Sequence, residues 1–187
     1  NQIFAVSGSC ALTTADQIAV AEAKGFQILD LDASPATDQR RFAAEMGFIQ
    51  AECLSLLSQV HDVLVTTARG PDDPMVARLA EAISTSRATS SDVNARLGTA
   101  LGQLVSDIRR KTKMERIAIS GGDTSGHALT QLGADALSAV APLAPGAPLC
   151  RVHTGADPAI DGLEVTLKGG QMGQPTFFLE AKGGPQT

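Results

Sequence analysis

Two periods alternate along the chain: short apolar runs that suit buried strands, and apolar residues spaced three and four apart, which suit helices lying on a sheet. Ile3-Phe4-Ala5-Val6 is a run of the first kind and gives way to Ser7-Gly8-Ser9-Cys10. Thr13 or Thr14 is then the expected N-cap of a helix ending near Lys24, with Gly25 as its stop. Gln27 to Asp32 alternates polar and apolar and predicts a second strand closed by the Ser34-Pro35 turn, so the opening is a βαβ unit. Phe42, Met46, Ile49, Cys53, Leu56 and Val60 share one helical face between about Thr37 and Val60. Asp62 to Thr67 predicts a third strand, and Gly70-Pro71-Asp72-Asp73-Pro74 supplies strong turn chemistry after it. A short helix through Val76, Leu79, Ala80 and Ile83 follows, then a loop over Ser84 to Ser91. A long helix carries Val93, Leu97, Leu101, Leu104 and Ile108 and ends in Arg109-Arg110-Lys111, charges that suit a helix C-terminus.

Arg116-Ile117-Ala118-Ile119 predicts another buried strand, opening into Ser120-Gly121-Gly122-Asp123-Thr124-Ser125-Gly126. Leu129, Leu132 and Leu137 then read as a helical pattern interrupted by Gly133. Pro142, Pro145-Gly146 and Pro148 predict irregular chain, and short strands are expected at Leu149–Val152, Leu163–Leu167 and Thr176–Leu179. Strands alternating with helices predict an α/β fold in three layers: a mainly parallel sheet with helices on both faces, and mixed or antiparallel strands near the C-terminus. No internal repeat or low-complexity segment is evident.

At 187 residues the chain suits a single domain with one aliphatic core. Its six aromatic residues are all Phe, which leaves no Trp or Tyr platform for stacking bases. The formal charge of −5 gives no footprint for nucleic acid or an anionic membrane, so a small anion would be met by backbone amides and a few basic side chains. No stretch approaches the roughly 18 apolar residues of a membrane span. Cys10, Cys53 and Cys150 are odd in number and far apart, which predicts neither a disulfide framework nor a CxxC metal site and fits a reducing cytoplasm. The start at Asn1-Gln2-Ile3-Phe4, directly in an apparent strand and without Met, suggests a piece of a longer protein.

Candidate chemistry gathers in three glycine clusters, the third being Lys168-Gly169-Gly170-Gln171-Met172-Gly173. Glycine lets the backbone approach a ligand, and free amides at a helix start offer donors to an anion. Gly121 to Gly126 has the G-x-x-x-x-G frame of a P-loop, but His127-Ala128 stands where Lys and Ser or Thr are required; Asp123 occupies the third position, where a dinucleotide fingerprint needs glycine. What remains is a strand-to-helix turn bearing a carboxylate and two hydroxyls, either a ligand site or a tight turn capped by Asp123 or Thr124. Asp123 suits holding Mg2+ beside phosphates, or serving as a base toward a hydroxyl. Lys168 is either an amine on a phosphate or an exposed strand-end lysine. Cys10 sits near a helix start without an evident partner base, so burial is expected over nucleophilic use. His61, His127 and His153 lack metal-ligand spacing; only His127, beside the middle cluster, is of interest, and surface or capping roles lead. Arg109-Arg110-Lys111 is expected to be a solvated helix end rather than a phosphate site.

Taken in order, Val6-Ser7-Gly8-Ser9-Cys10, Ile119-Ser120-Gly121-Gly122-Asp123-Thr124, Pro148-Leu149-Cys150-Arg151 and Leu167-Lys168-Gly169-Gly170-Gln171-Met172-Gly173 followed by Phe177-Phe178 resemble the C-terminal, nucleotide-binding domain of the four-carbon acid sugar kinases. The similarity spans essentially residues 1–187. It implies an ATP-dependent phosphotransferase acting on tetronates or 3-oxo-tetronates, the acid sugar being held mainly by a separate N-terminal domain absent from this chain. It also implies that Ser7, Gly8, Ser9, Gly121, Gly122, Asp123, Thr124, Gly169, Gly170 and Gly173 surround ATP, with Mg2+ offsetting charge on the transferring group. Met172 stands where the family commonly has a larger apolar residue, and can fill the same space near adenine. Two other readings stay open: a non-catalytic nucleotide or phosphometabolite sensor, and a complete small enzyme acting on a sugar phosphate. Homo-oligomerisation is left open as well.

Overall fold

The computed structural model describes residues 2–183. Among them, β1 (Phe4–Ser7), β2 (Gln27–Asp30), β3 (Val63–Thr66), β4 (Arg116–Ser120), β5 (Ala136–Ala144), β6 (Ala147–His153) and β7 (Glu164–Lys168) form one sheet in the order β2-β3-β1-β4-β7-β6-β5. The first five strands in that order run parallel; β6 is antiparallel to both β7 and β5. The three-layer, mainly parallel sheet with an antiparallel C-terminal part is the architecture the periodicity predicts.

Strand alternation divides the core. Phe4, Val6, Val63, Val65, Ile117, Ile119 and Val165 face α2 (Gln39–Ser58), α4 (Ser90–Thr112) and α5 (Gly122–Gln131). Ile3, Ala5, Leu64 and Ala118 face α1 (Leu12–Ala23) and α6 (Phe177–Gly183). α3 (Pro74–Ser84) lies beside the short 3-10 turn Ser34–Thr37, with Leu79 and Ile83 packed on the first core. Both faces of β1, β3 and β4 are therefore dry, which explains their unbroken apolar runs. α4 starts with a capping box between Thr89 and Asp92 and approaches α5 closely: a Cβ on Gly98 would stand 2.3 Å from the His127 ring, and one on Gly102 would stand 2.9 Å from the Ala128 Cα. No described helix is long and apolar enough to cross a membrane.

Several expectations are corrected. α1 has Ala11 at its N-cap with no side-chain cap, because the Thr14 hydroxyl donates instead to the Gly170 carbonyl at 2.8 Å. Leu137 belongs to β5, since Gly133, at φ +63°, ends the turn after α5. The proline-marked stretch is an edge hairpin turning at Pro145-Gly146. Pro142 and Pro148 fall where the β5–β6 register shifts, so their missing N–H groups cost no regular ladder bond. Phe177 and Phe178 begin a helix rather than lying in a strand, and bury their rings against the sheet. A three-residue apolar run reads the same either way.

Candidate functional site

The strand order decides where the glycine clusters go. β1, β4 and β7 are consecutive and parallel, and each cluster leaves the carboxyl end of one of them. With about 4.8 Å between neighbouring strands, the three bends fall within roughly 10 Å of sheet edge. The chain also turns from the β3 side of β1 to its β4 side, and such a reversal opens a crevice at the carboxyl edge.

Direct contacts tie the bends together. The Gly8 amide donates to the Ser120 carbonyl at 3.0 Å, and the Gly121 amide donates to the Lys168 carbonyl at 2.9 Å. A Cβ on Gly8 would meet Thr124 Oγ1 at 2.2 Å, and one on Gly170 would meet Ser9 Oγ at 2.3 Å. Gly121, at φ +116°, is the N-cap of α5 and uses no side-chain cap, so neither Asp123 nor Thr124 caps that helix. Gly122 differs from these close contacts: a Cβ there would point into open space, leaving the first amides of α5 approachable. Asp123 is exposed in the first turn of α5, and Thr124 is buried beneath it. The Ser120 hydroxyl is buried at the same edge without a partner among the described residues.

Lys168 is not an exposed strand-end lysine. It is 2% exposed; its Nζ donates to Thr14 Oγ1 at 3.0 Å and to the Gly169 and Gly170 carbonyls at 3.2 and 3.5 Å, and lies 5.6 Å from the Phe177 ring centre. Loss of solvation lowers its pKa to about 8. Gly173, at φ +86°, closes this bend beside Phe177 and the Gln17 side chain. The Met172 side chain lies across Gly169 and reaches the hairpin turn at Gly146.

The other sequence candidates lie elsewhere or are already engaged. Arg109 donates to the carbonyls of Ala159, Lys113 and Met114, and Arg110 pairs with Asp157 at 2.7 Å, at the end of the sheet opposite the glycine clusters. His153 bonds Ser138 across the hairpin at 2.7 Å, and His127 packs on Gly98. Cys10 is exposed rather than buried, whereas Cys53 is buried and its thiol is pushed up to about 12. No group of three or more His, Cys, Asp or Glu among the described residues is arranged to hold a metal ion.

One neighbour of the site shows in the sequence only as a turn. The loop from Gly70 to Pro74 follows β3, the strand beside β1, and with Leu12, Ala15 and Arg69 it lines a recess of about 490 Å³. Its position at a parallel-strand carboxyl end was the available signal. Leu12 is 66% exposed there, and Arg69 is held by Asp30 at 2.7 Å and Glu22 at 2.9 Å. A wider groove of about 670 Å³ between α2 and α4, lined by Phe42, Met46, Arg96 and Asp107, has no glycine-cluster residue in its lining.

The family model of a nucleotide-binding C-terminal domain matches residues 4–178. The chain is 42% identical over 176 residues to a 3-oxo-isoapionate kinase of Paraburkholderia graminis, covering 94% of this chain and 37% of that protein. It is 24% identical over 180 residues to a D-threonate kinase of Salmonella typhimurium, covering 96% and 41%. It thus spans about two fifths of the length of these curated relatives. Among solved structures, a Haemophilus influenzae protein superposes with TM-score 0.78 at 18% identity, over 98% of this chain and 40% of that one. A citrate-bound, domain-swapped dimer from Bordetella bronchiseptica gives 0.71 at 20% identity, over 96% and 39%. The chain therefore belongs to the nucleotide-binding C-terminal domain family, the one found in the four-carbon acid sugar kinases.

Proposed function

We propose that this chain binds ATP with Mg2+ for transfer of the γ-phosphate to a hydroxyl of a four-carbon acid sugar of the tetronate or 3-oxo-tetronate type. The acceptor would be held mainly by a separate N-terminal domain. The observation that carries the reading is the meeting of three glycine bends at the ends of β1, β4 and β7, with the start of α5 open at Gly122. The names of the relatives, both acid sugar kinases, support an acid sugar as the acceptor.

On this reading Ser7, Ser9, Gly122 and Thr124, with Gly169, Gly170 and Gly173, meet the phosphates through main-chain N–H groups and hydroxyls, while Gly8 and Gly121, whose own amides are spent on the Ser120 and Lys168 carbonyls, let the bends approach the nucleotide closely. The positive ends of the α1 and α5 dipoles supply much of the field, since Arg69 is neutralised by its two carboxylates. Asp123 is the counterpart. An exposed carboxylate in the first turn of α5 repels a triphosphate unless a cation lies between them, which favours Asp123 as the Mg2+ holder over Asp123 as a base. Bound Mg2+ would offset charge developing on the transferred phosphoryl group. ATP as substrate goes with a cytoplasmic setting. Self-association, seen in the Bordetella structure, is part of the same proposal.

Calorimetric titration with ATP and Mg2+ tests it. Gly122→Val should weaken binding at least about tenfold, or 1.4 kcal/mol, without unfolding the chain, because the added side chain enters open space. Asp123→Ala should chiefly raise the Mg2+ concentration required. Unchanged affinity in Gly122→Val removes the middle bend from the site.

A further inference from the structure

We propose that Lys168, acting with Thr14, is a positioning residue: a buried strut that turns the Gly169 and Gly170 carbonyls inward and so the Gly170 and Gln171 amides outward to the nucleotide. The inference rests on the ATP reading above but concerns how the third bend is held rather than what it holds.

Four carbonyls of the bend and its exit are engaged from beneath. Gly169 O accepts from Lys168 Nζ, and Gly170 O accepts from Thr14 Oγ1 at 2.8 Å and from Lys168 Nζ at 3.5 Å. Met172 O and Gln174 O both accept from Gln17 Nε2, at 2.9 and 3.0 Å. Thr14 and Gln17 stand one turn apart on α1, so a single helix face grips the bend. In a trans peptide the N–H points opposite to the C=O. Fixing the Gly169 and Gly170 oxygens toward Lys168 therefore aims the amides of Gly170 and Gln171 away from it. The backbone of Gly170 at the same time abuts Ser9 of the first bend. A bend with its carbonyls outward would present negative dipoles to a phosphate, so the strut decides which face the ligand meets.

Lys168 suits this task because it has no acidic partner within ion-pair distance among the described residues. Its hydrogen bonds end on neutral oxygens, and Phe177 offers its ring to the same ammonium. A surface lysine on phosphate would be exposed; this one is enclosed.

Three variants and two measurements test the strut: Lys168→Met, which keeps the length of the side chain, Thr14→Val, which keeps its shape, and Thr14→Ser, which keeps the hydroxyl. Amide hydrogen exchange is read over Gly170–Gly173 in the nucleotide-free protein, and ATP–Mg2+ affinity by titration. Lys168→Met and Thr14→Val should each speed exchange in the bend about tenfold or more while exchange in β1 is unchanged, and should weaken ATP about tenfold, as expected for loss of a hydrogen bond to a charged group. Thr14→Ser should recover most of what Thr14→Val loses; this pair keeps the test decisive if Lys168→Met does not fold. Loss of ATP in Lys168→Met with unchanged exchange, and no effect of Thr14→Val, would mean that the amine meets the phosphate directly and would overturn the strut. Faster exchange with unchanged ATP affinity would overturn the positioning role. A wild-type chain that binds no ATP sinks the nucleotide reading, while exchange over Gly170–Gly173 still decides whether the strut exists.

Discussion

Burying an ammonium without a carboxylate is costly, and Lys168 bears that cost at neutral pH through three neutral oxygens and an aromatic ring. Its pKa falls from 10.5 to about 8, so between those values the unfolded chain binds more protons than the folded one. Stability must then rise as pH rises from about 8 toward 10.5, with the penalty fully present below about 8. The shift corresponds to on the order of 3 kcal/mol. Urea melts at pH 8 and pH 10 should show this gain in wild type and lack it in Lys168→Met; parallel pH profiles for the two proteins would show that the amine is solvated after all. The sequence marked Lys168 as worth attention but not its burial, because the group that encloses it, Thr14, lies 154 residues earlier in the chain.

Among the elements, those enclosed on both faces were legible and those at the margins were not. β1, β3, β4 and β7 announce themselves by Val, Ile and Leu runs, and α4 by its apolar stripe and its basic end. β5 escapes because Ala136–Ala144 is mostly exposed, rich in Ala and interrupted by Pro142, so it lacks the β-branched signal of a packed strand. α6 escapes because Phe177-Phe178 is too short a run to show a period. The three bends were visible as glycine clusters, yet their adjacency follows only from strand order. That adjacency makes Gly8 a sensitive point: Gly8→Ala places a methyl against Thr124 Oγ1 and should cost about 1–3 kcal/mol in denaturant melts, with partial recovery in Gly8→Ala/Thr124→Ala. Full stability in Gly8→Ala alone would show that the first bend and α5 are free to separate.

At the scale of the molecule, the sheet brings together segments near positions 8, 121 and 170, so the proposed site draws on nearly the whole chain. Parallel strands pair across long intervening stretches, and such contacts are late and slow to form. Before β7 docks beside β4, a triphosphate has only fragments of a berth. Nucleotide would thus recognise the finished domain and none of its precursors, acting as a latch on the completed sheet. Stopped-flow experiments should find that ATP with Mg2+ leaves the refolding rate as it was and slows unfolding alone.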